Sequence, residues 1–317
     1  MTFRLPPFPT LSAARRPATA LLTLLWLTAT VVAAEVPATD HQTFSDYWYG
    51  GKAELNRYKL EQARYGQIHQ GDSVLIFVTE DFLKKEQVKR DRGKAPADTV
   101  LKLNAMHHFN TGIYTYSLMT SSFTTVDYRN PFTHKVAFTG QDWCGHTFMQ
   151  LNQRDEKYRV QVRSYFQGEG DKDFALPTSA LLEDRVWTQI RIAPASLPTG
   201  RANMVPSLQF SRLRHVPAKA QPVDLSLEKV REAAFGTNEL YRYRIDYPEL
   251  KRTVEIYFQT KAPYRIEGWR DTRTSGFGSD AKPLTTTAIR THTVQEPYWR
   301  LNRVSDLPRR ESLGLTP

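Results

Sequence analysis

Strict alternation of apolar and polar residues is the feature that most restricts how this chain can fold. It recurs in YRVQVR (158–163), YRYRIDY (241–247) and VEIYFQ (254–259). Successive side chains of a strand point to opposite faces, so each segment has one buried face and one wet face. That pattern is typical of antiparallel sheet. The polar run at 153–157 predicts one hairpin turn, and Pro248 in PEL (248–250) predicts another, because proline cannot join a ladder.

Other segments complete the predicted fold. The continuous apolar run 74–78 predicts a central strand, joined through a turn at 66–71 to a long strand over 54–65. Apolar residues four apart, beginning at Leu182, predict one main helix near 179–192. We therefore expect an α+β, β-dominated protein, with a curved antiparallel sheet or a partly closed barrel or sandwich and one main packed helix.

The less regular segments suggest how the chain is divided. The stretch VPAKAQ at 216–221 separates a larger β-rich lobe (35–215) from a smaller antiparallel β lobe (216–317). A short second helix is predicted over 225–234. The segment 270–283 is rich in Gly, Ser and charge, which predicts a loop or lid.

The first 34 residues have the pattern of a secretory signal peptide. Arg15-Arg16 precede the apolar run 21–34, which ends in small residues. The run is shorter than the roughly 20 apolar residues of a membrane-spanning helix. Cleavage would remove three of 43 basic residues and none of the 33 acidic ones, leaving a net charge of +7. We expect a periplasmic or secreted protein, and therefore no nucleic-acid partner.

The densest group of reactive residue types is Asp142-Trp143-Cys144-Gly145-His146. On a strand, Cys144 and His146 would share a face and could serve a thiol-dependent or metal-assisted hydrolase. His107, His108 and His146 are candidate zinc ligands, although His107 and His108 point to opposite faces of a strand. The alternative is that Cys144, the only cysteine, packs in the core as a small apolar residue.

Aromatic residues supply the other functional signal. Curved sheets with apolar concave faces bind greasy ligands, and aromatic side chains are abundant on the predicted strands. The candidate ligand-binding residues are Trp143, Tyr114, Tyr116, Tyr243 and Trp269. The same residues could equally fill a core.

Two segments resemble a known family. They are ARYGQIHQGDSVLIFVTEDFLKKEQVKRD (63–91) and QDWCGHTFMQLN (141–152). They are similar to a family of exported, functionally uncharacterised bacterial proteins, many of them predicted lipoproteins and some labelled septum formation inhibitor Maf. The resemblance implies an envelope location but no activity or catalytic residues. This chain lacks the family's lipidated cysteine and the Ser-x-Ser-Pro-Arg-Arg loop of genuine Maf nucleotide pyrophosphatases.

The sequence as a whole favours a non-catalytic envelope protein. It contains no Gly-x-Ser-x-Gly elbow, phosphate-binding glycine loop or Cys-x-x-Cys pair, and no cofactor is expected. We predict that it binds an apolar or lipid-like ligand or an envelope protein, with peripheral membrane contact left open. The alternatives are the hydrolase built on Cys144 and His146 and, more remotely, a Maf-type nucleotide pyrophosphatase.

Overall fold

A computed structural model describes residues 35–316, so the predicted signal peptide lies outside the described residues. Strands dominate this part of the chain. They are β1 (Ala53–Arg64), β2 (Gln67–Leu83), β3 (Val88–Lys89), β4 (Ala97–Thr111), β5 (Tyr114–Thr125), β6 (Thr133–Asp142), β7 (Gly145–Arg154), β8 (Lys157–Ser164), β9 (Lys172–Pro177), β10 (Leu181–Leu182), β11 (Gly200–Val205), β12 (Gln221–Arg231), β13 (Glu239–Tyr247), β14 (Arg252–Gln259), β15 (Ile266–Ser275) and β16 (Lys282–Glu296).

Helical segments are few. The α-helices are α1 (His41–Trp48), α2 (Glu183–Ile192) and α3 (Leu208–Arg214), and 3-10 segments occur at Pro194–Ser196, Ala233–Phe235, Gly278–Asp280, Tyr298–Arg300 and Val304–Leu313. Helix α2 is the predicted main helix, although it begins at Glu183, after the short strand β10. Within residues 35–316 we find no helix with the length and apolarity needed to cross a bilayer.

All the described strands belong to one sheet. Its order is β10-β11-β12-β13-β14-β15-β16-β1-β2-β4-β5-β6-β7-β8-β9, with β3 paired to β2. Among these ladders only β10–β11 is parallel. The predicted β-dominated fold on an antiparallel sheet is therefore confirmed, and it has few helices.

The two predicted lobes share this sheet. Strand β1 of the first lobe pairs with β16 of the second, and β11 pairs with β12 across the predicted linker. Ala218, inside that linker, is buried in the main core. The division at 216 thus separates neighbouring strands of one compact unit and does not separate two bodies.

The sheet is strongly curved but not closed. Its two edge strands are β9, which ends at Pro177, and β10, which begins at Leu181. Only residues 178–180 separate these edges in sequence, so the sheet curls until its edges approach each other at this turn. No hydrogen-bonded ladder joins them within the described part of the chain. The concave face therefore surrounds an interior that α2 occupies.

Helix α2 is buried over most of its length, because it packs against strands from both halves of the sheet. Eight of the ten residues of α2 are buried. Near its end Arg191 donates to both carboxylate oxygens of Glu54 on β1, at 2.7 and 2.8 Å. Trp48 of α1 and Phe77 of β2 pack against the same guanidinium group. Helix α2 is thus fixed to the sheet by a buried ion pair.

Helix α3 closes one end of the curved sheet, which we call the α3 end. Because successive strands alternate in direction, six turns meet there, at 65–66, 112–113, 143–144, 165–171, 248–251 and 276–281. Arg212 of α3 donates to Thr147 Oγ1 at 2.8 Å, and the Leu213 carbonyl accepts a hydrogen bond from Arg64. These contacts hold α3 against the ends of β1 and β7.

Two local predictions are wrong. Residues 225–234 do not form a helix, because Val223, Leu225 and Leu227 are buried alternately along β12. The segment 270–283 is not a long loop, since β15 continues to Ser275 and β16 begins at Lys282. In both places the period-two pattern determines the structure despite polar composition.

Candidate functional site

The candidate site is a cavity of about 80 Å³ in the interior of the protein. It lies between the concave face of the sheet and helices α2 and α3. Residues Asp184 and Trp187 of α2, Gln209 and Phe210 of α3, His107 of β4 and Trp269 of β15 are among those that line it.

Two arginines and two carboxylates form a neutral network along one wall. Arg252 donates to both carboxylate oxygens of Glu183, at 2.7 and 2.8 Å, and its Nε donates to Asp271 Oδ1 at 2.9 Å. Arg273 donates to Asp271 Oδ2 at 2.8 Å. Both arginines are nearly fully buried. Their positive charges are therefore already balanced inside the protein, as buried charges require.

Asp184 also lines the cavity but takes no part in this network of ion pairs. Its side chain is buried, and Oδ2 accepts a hydrogen bond from the Leu208 N–H at the start of α3, at 3.0 Å. In the described part of the chain no salt bridge neutralises it. Burial, together with the nearby Glu183 charge, raises the pKa of Asp184 from 3.8 to about 7. When Asp184 is ionised, the site carries one net negative charge.

His107 faces the same cavity from β4. Burial lowers its pKa from 6.5 to about 4, so the imidazole is neutral at pH 7. Its Nδ1 atom has no hydrogen-bond partner in the part of the chain that the structure describes, and neither has Oε1 of Gln209 on α3. Buried polar atoms normally have partners, so a cavity with unpartnered acceptors beside a lone acid has the chemistry of a binding site.

Aromatic rings form the remaining wall. Trp269 packs edge-on against Trp187, with ring centroids 5.1 Å apart, and against His107, with centroids 5.9 Å apart. Trp269 also contacts the buried Tyr58, at 4.8 Å between centroids. Of the five aromatic residues predicted to bind a ligand, Trp269 therefore lines the cavity, and its role in binding stays a prediction.

The other four predicted aromatic residues lie elsewhere. Tyr243 is buried, and its hydroxyl donates to the Pro198 carbonyl at 2.8 Å. Tyr116 is buried at the α3 end, Tyr114 is half-buried beside it, and Trp143 is 70% exposed in the turn between β6 and β7. None of these four lines the cavity.

The geometry assumed for Cys144 is wrong. The residue does not lie on a strand but in the exposed turn between β6 and β7, so it is not packed in the core. The turn forms because Asp142 Oδ1 accepts a hydrogen bond from the Cys144 N–H at 2.7 Å. His146, at the start of β7, is exposed on the outer face of the sheet.

The candidate metal ligands do not come together. His107 faces the interior, whereas His108 and His146 border a depression on the outer face. Across residues 35–316 there is no group of three or more His, Cys, Asp or Glu side chains placed to hold a metal ion. Opposite orientations along β4 explain why the three histidines cannot form one site.

The position of Cys144 gives a direct test of this part of the structure. We expect one thiol per chain to react with Ellman's reagent in native buffer, as fast as in denaturant within an order of magnitude, because the turn is exposed. The Cys144→Ser variant provides the blank. Reaction only after addition of guanidinium would show that the thiol is buried and that the turn is misplaced.

The acidic residues and arginines of the cavity were not predicted as site residues from the sequence. The sequence nevertheless contains a pattern that indicates their burial. Arg252 is two residues before Val254 and four before Ile256, which the alternation places on the buried face. Asp271 and Arg273 follow Trp269 with the same period. Charged residues in phase with an apolar face indicate buried ion pairs.

Comparison with known proteins identifies no function for this chain. No protein family matches this chain in sequence, and no curated protein does. Among solved structures the chain is similar to a beta-barrel-like protein of the domain of unknown function DUF1849 from Brucella abortus. That similarity has a TM-score of 0.44 and 11% identity and covers 77% of this chain and 97% of the other.

Proposed function

We propose that this protein is a non-catalytic binding protein that holds a small primary ammonium compound in the cavity between α2 and α3. The observation that carries the proposal is Asp184, a buried carboxylate with no salt-bridge partner among residues 35–316, facing a cavity walled by aromatic rings. A cation would supply the missing charge.

Hydrogen bonding supports an ammonium group. Asp184 Oδ1, Gln209 Oε1 and, in the tautomer with the proton on Nε2, His107 Nδ1 are acceptor atoms on the cavity-lining side chains, and none of them receives a protein hydrogen bond in the described residues. A primary ammonium has three donors and no acceptor, which complements three such atoms. The rings of Trp187 and Trp269 would add cation–π attraction.

The size of the cavity restricts the ligand. About 80 Å³ is several times the roughly 10–15 Å³ that one water needs, but far below the roughly 300 Å³ at which drug-sized pockets begin. A compact ligand of a few heavy atoms is therefore favoured over the lipid-like ligand that the aromatic content predicts. The proposal does not depend on the predicted exported location.

Thermal unfolding with size-matched probes tests the proposal. Ethylammonium chloride should raise the unfolding temperature of the whole chain more than potassium chloride at equal ionic strength, because a ligand that binds only the folded state stabilises it. Acetate and ethanol resemble ethylammonium in size but carry no positive charge, so neither should raise the unfolding temperature in this way.

Two variants complete this experiment. Asp184→Asn should abolish the ethylammonium effect, whereas Asp155→Asn, in the exposed turn between β7 and β8, should retain it. Each variant is compared with its own unfolding temperature in potassium chloride. A shift that is equal for all three probes, or that persists in Asp184→Asn, would refute the proposal.

A further inference from the structure

Two methionines and a histidine lie side by side on the outer face of the sheet. Met106 and His108 are two residues apart on β4, so their side chains point to the same face. Met119 of β5 is paired directly with Met106. We call these three residues the thioether cluster.

The thioether cluster is open to solutes. All three of its side chains line the depression on the outer face, where His108 is exposed and both methionines are half-buried. The next positions across the sheet carry short side chains, because Ser117 is paired with His108 and Thr139 with Met119. A small ion can therefore reach the cluster without any rearrangement of the core.

The side chains of the cluster have free electron pairs but no charge partner. Five other histidine rings of residues 35–316 form side-chain hydrogen bonds, whereas the ring of His108 forms none there. The acidic residue opposite His108 on β2 is Asp72, which already pairs with Arg57. The donors that remain at this place are two thioether sulfurs and one imidazole, with no carboxylate that is free to join them.

We infer that the thioether cluster binds one Cu(I) ion through the two methionine sulfurs and an imidazole nitrogen of His108. Thioether sulfur is a soft ligand that selects Cu(I), and imidazole also binds copper. Calcium and magnesium need oxygen ligands, and structural zinc sites use thiolate, imidazole or carboxylate groups. A set with two thioethers therefore favours the soft monovalent ion over these divalent ions.

The strand register allows the three side chains to reach one ion. Directly paired residues of an antiparallel sheet have Cβ atoms about 4.5–5.5 Å apart, and the diagonal from Met119 to His108 is about 7–8 Å, within reach of long side chains. Methionine has three rotatable bonds, so its sulfur can adjust to the position of the ion. The site is separate from the interior cavity, because no member of the cluster lines that cavity.

Equilibrium dialysis of the whole chain against micromolar Cu(I), kept reduced by ascorbate under nitrogen, tests the inference. The chain carries Cys144→Ser, because the exposed thiol would itself bind Cu(I). Atomic absorption should find one copper per chain at saturation. A tenfold excess of Zn²⁺ should not lower this value, whereas displacement by Zn²⁺ would show that the sulfurs are not ligands.

Matched variants determine whether the thioethers hold the ion. Met106→Leu combined with Met119→Leu should raise the dissociation constant for Cu(I) at least tenfold. Met149→Leu, which replaces a sulfur buried in the core, should leave the constant unchanged. Leucine and methionine are similar in volume, so these variants should keep the fold.

A second pair of variants tests the imidazole. His108→Asn should weaken binding, whereas His146→Asn should not, because two strands lie between these histidines and three strand spacings amount to about 14 Å. Absence of retained copper in the Cys144→Ser chain would overturn the inference. Equal dissociation constants for the double methionine variant and Met149→Leu would also overturn it. Neither result bears on ethylammonium binding, because Asp184 is intact in all of these chains.

Discussion

Arg191→Met should lower the free energy of unfolding by about 3 kcal/mol, because it leaves the buried Glu54 carboxylate with Arg265 as its only cation in the described residues, at the longer distance of 3.8 Å. Arg191 and Glu54 have fully buried side chains and form two hydrogen bonds of 2.7 and 2.8 Å. The Arg191 Nε also donates to the Pro263 carbonyl at 2.9 Å. Methionine retains much of the apolar volume beside Trp48 and Phe77 but none of these donors.

Urea unfolding of three variants checks this result. Arg163→Met is the matched control, since Arg163 pairs with Asp173 on the exposed outer face, where an ion pair contributes about 0–1 kcal/mol. Adding Glu54→Gln to Arg191→Met should recover part of the loss, because the uncompensated charge is removed. If Arg191→Met costs no more than Arg163→Met, the buried pair does not anchor α2.

The same pair predicts how stability depends on pH. Burial raises the pKa of Glu54, but the Arg191 charge and the hydrogen bonds from Arg191, Tyr47 and Asn56 together outweigh burial and lower that pKa from 4.5 to about 2. A lowered carboxyl pKa contributes stability above the unfolded value, and that stability is lost as the pH falls from about 4.5 to about 2. The free energy of unfolding of the wild type should therefore fall more steeply over this pH range than that of the Arg191→Met, Glu54→Gln double variant, which has no carboxylate at position 54.

The strands and the main helix were predictable because their signals are local. Alternation at 158–163, 241–247 and 254–259 identifies β8, β13 and β14, and four-residue spacing identifies α2. The pairing of β1 with β16 was not predictable, since more than 200 residues separate Tyr58 from its partner Arg290. No local pattern specifies which distant edges meet, so the sequence could not show that strands from both predicted lobes join one sheet.

Short helices were missed for a related reason. Helix α3 has only seven residues, too few for a periodic pattern to stand out, and its stability comes from tertiary contacts. Arg212 shows this, because it is 4% exposed and its guanidinium packs 4.2 Å from the Phe166 ring. The cavity lies under α3, so the position of the site could not be predicted from a sequence in which this helix is not recognised.

The candidate site itself was only partly predictable. Trp269 was identified as aromatic and on a strand, but Asp184 was not singled out, because an acidic residue within a predicted helix is ordinarily exposed to solvent. Its burial follows from the curvature of the sheet around α2, which sequence does not specify. Trp143 and Cys144 lie in solvent in a two-residue turn, and their roles in binding or catalysis stay predictions.

Asp184→Asn should stabilise the protein in neutral and alkaline solution, although it alters a buried polar residue. Burial raises the pKa of Asp184 from 3.8 to about 7 in the folded state. Between these values the unfolded chain loses its proton first, so wild-type stability falls as the pH rises and the loss is complete above about 7. The difference between 3.8 and about 7 corresponds to about 4 kcal/mol.

Asparagine removes this cost without removing the hydrogen bond. Its carbonyl oxygen can still accept from the Leu208 N–H at the start of α3. Its amide group also brings two donors to a cavity that holds the unpartnered Gln209 Oε1. The stability gain of the variant should therefore be small near pH 4 and should grow by roughly 3 kcal/mol between pH 5 and pH 8.

Denaturant unfolding of wild type and variant at pH 5 and pH 8 measures this difference, with Asp155→Asn as the control whose effect should not depend on pH. A variant less stable than wild type at pH 8 would mean that a protein cation compensates the Asp184 carboxylate, and the cavity would then have no charge to offer a ligand. Ionised Asp184 lowers the stability of the folded protein. Binding of a cation beside its carboxylate would offset that loss of stability.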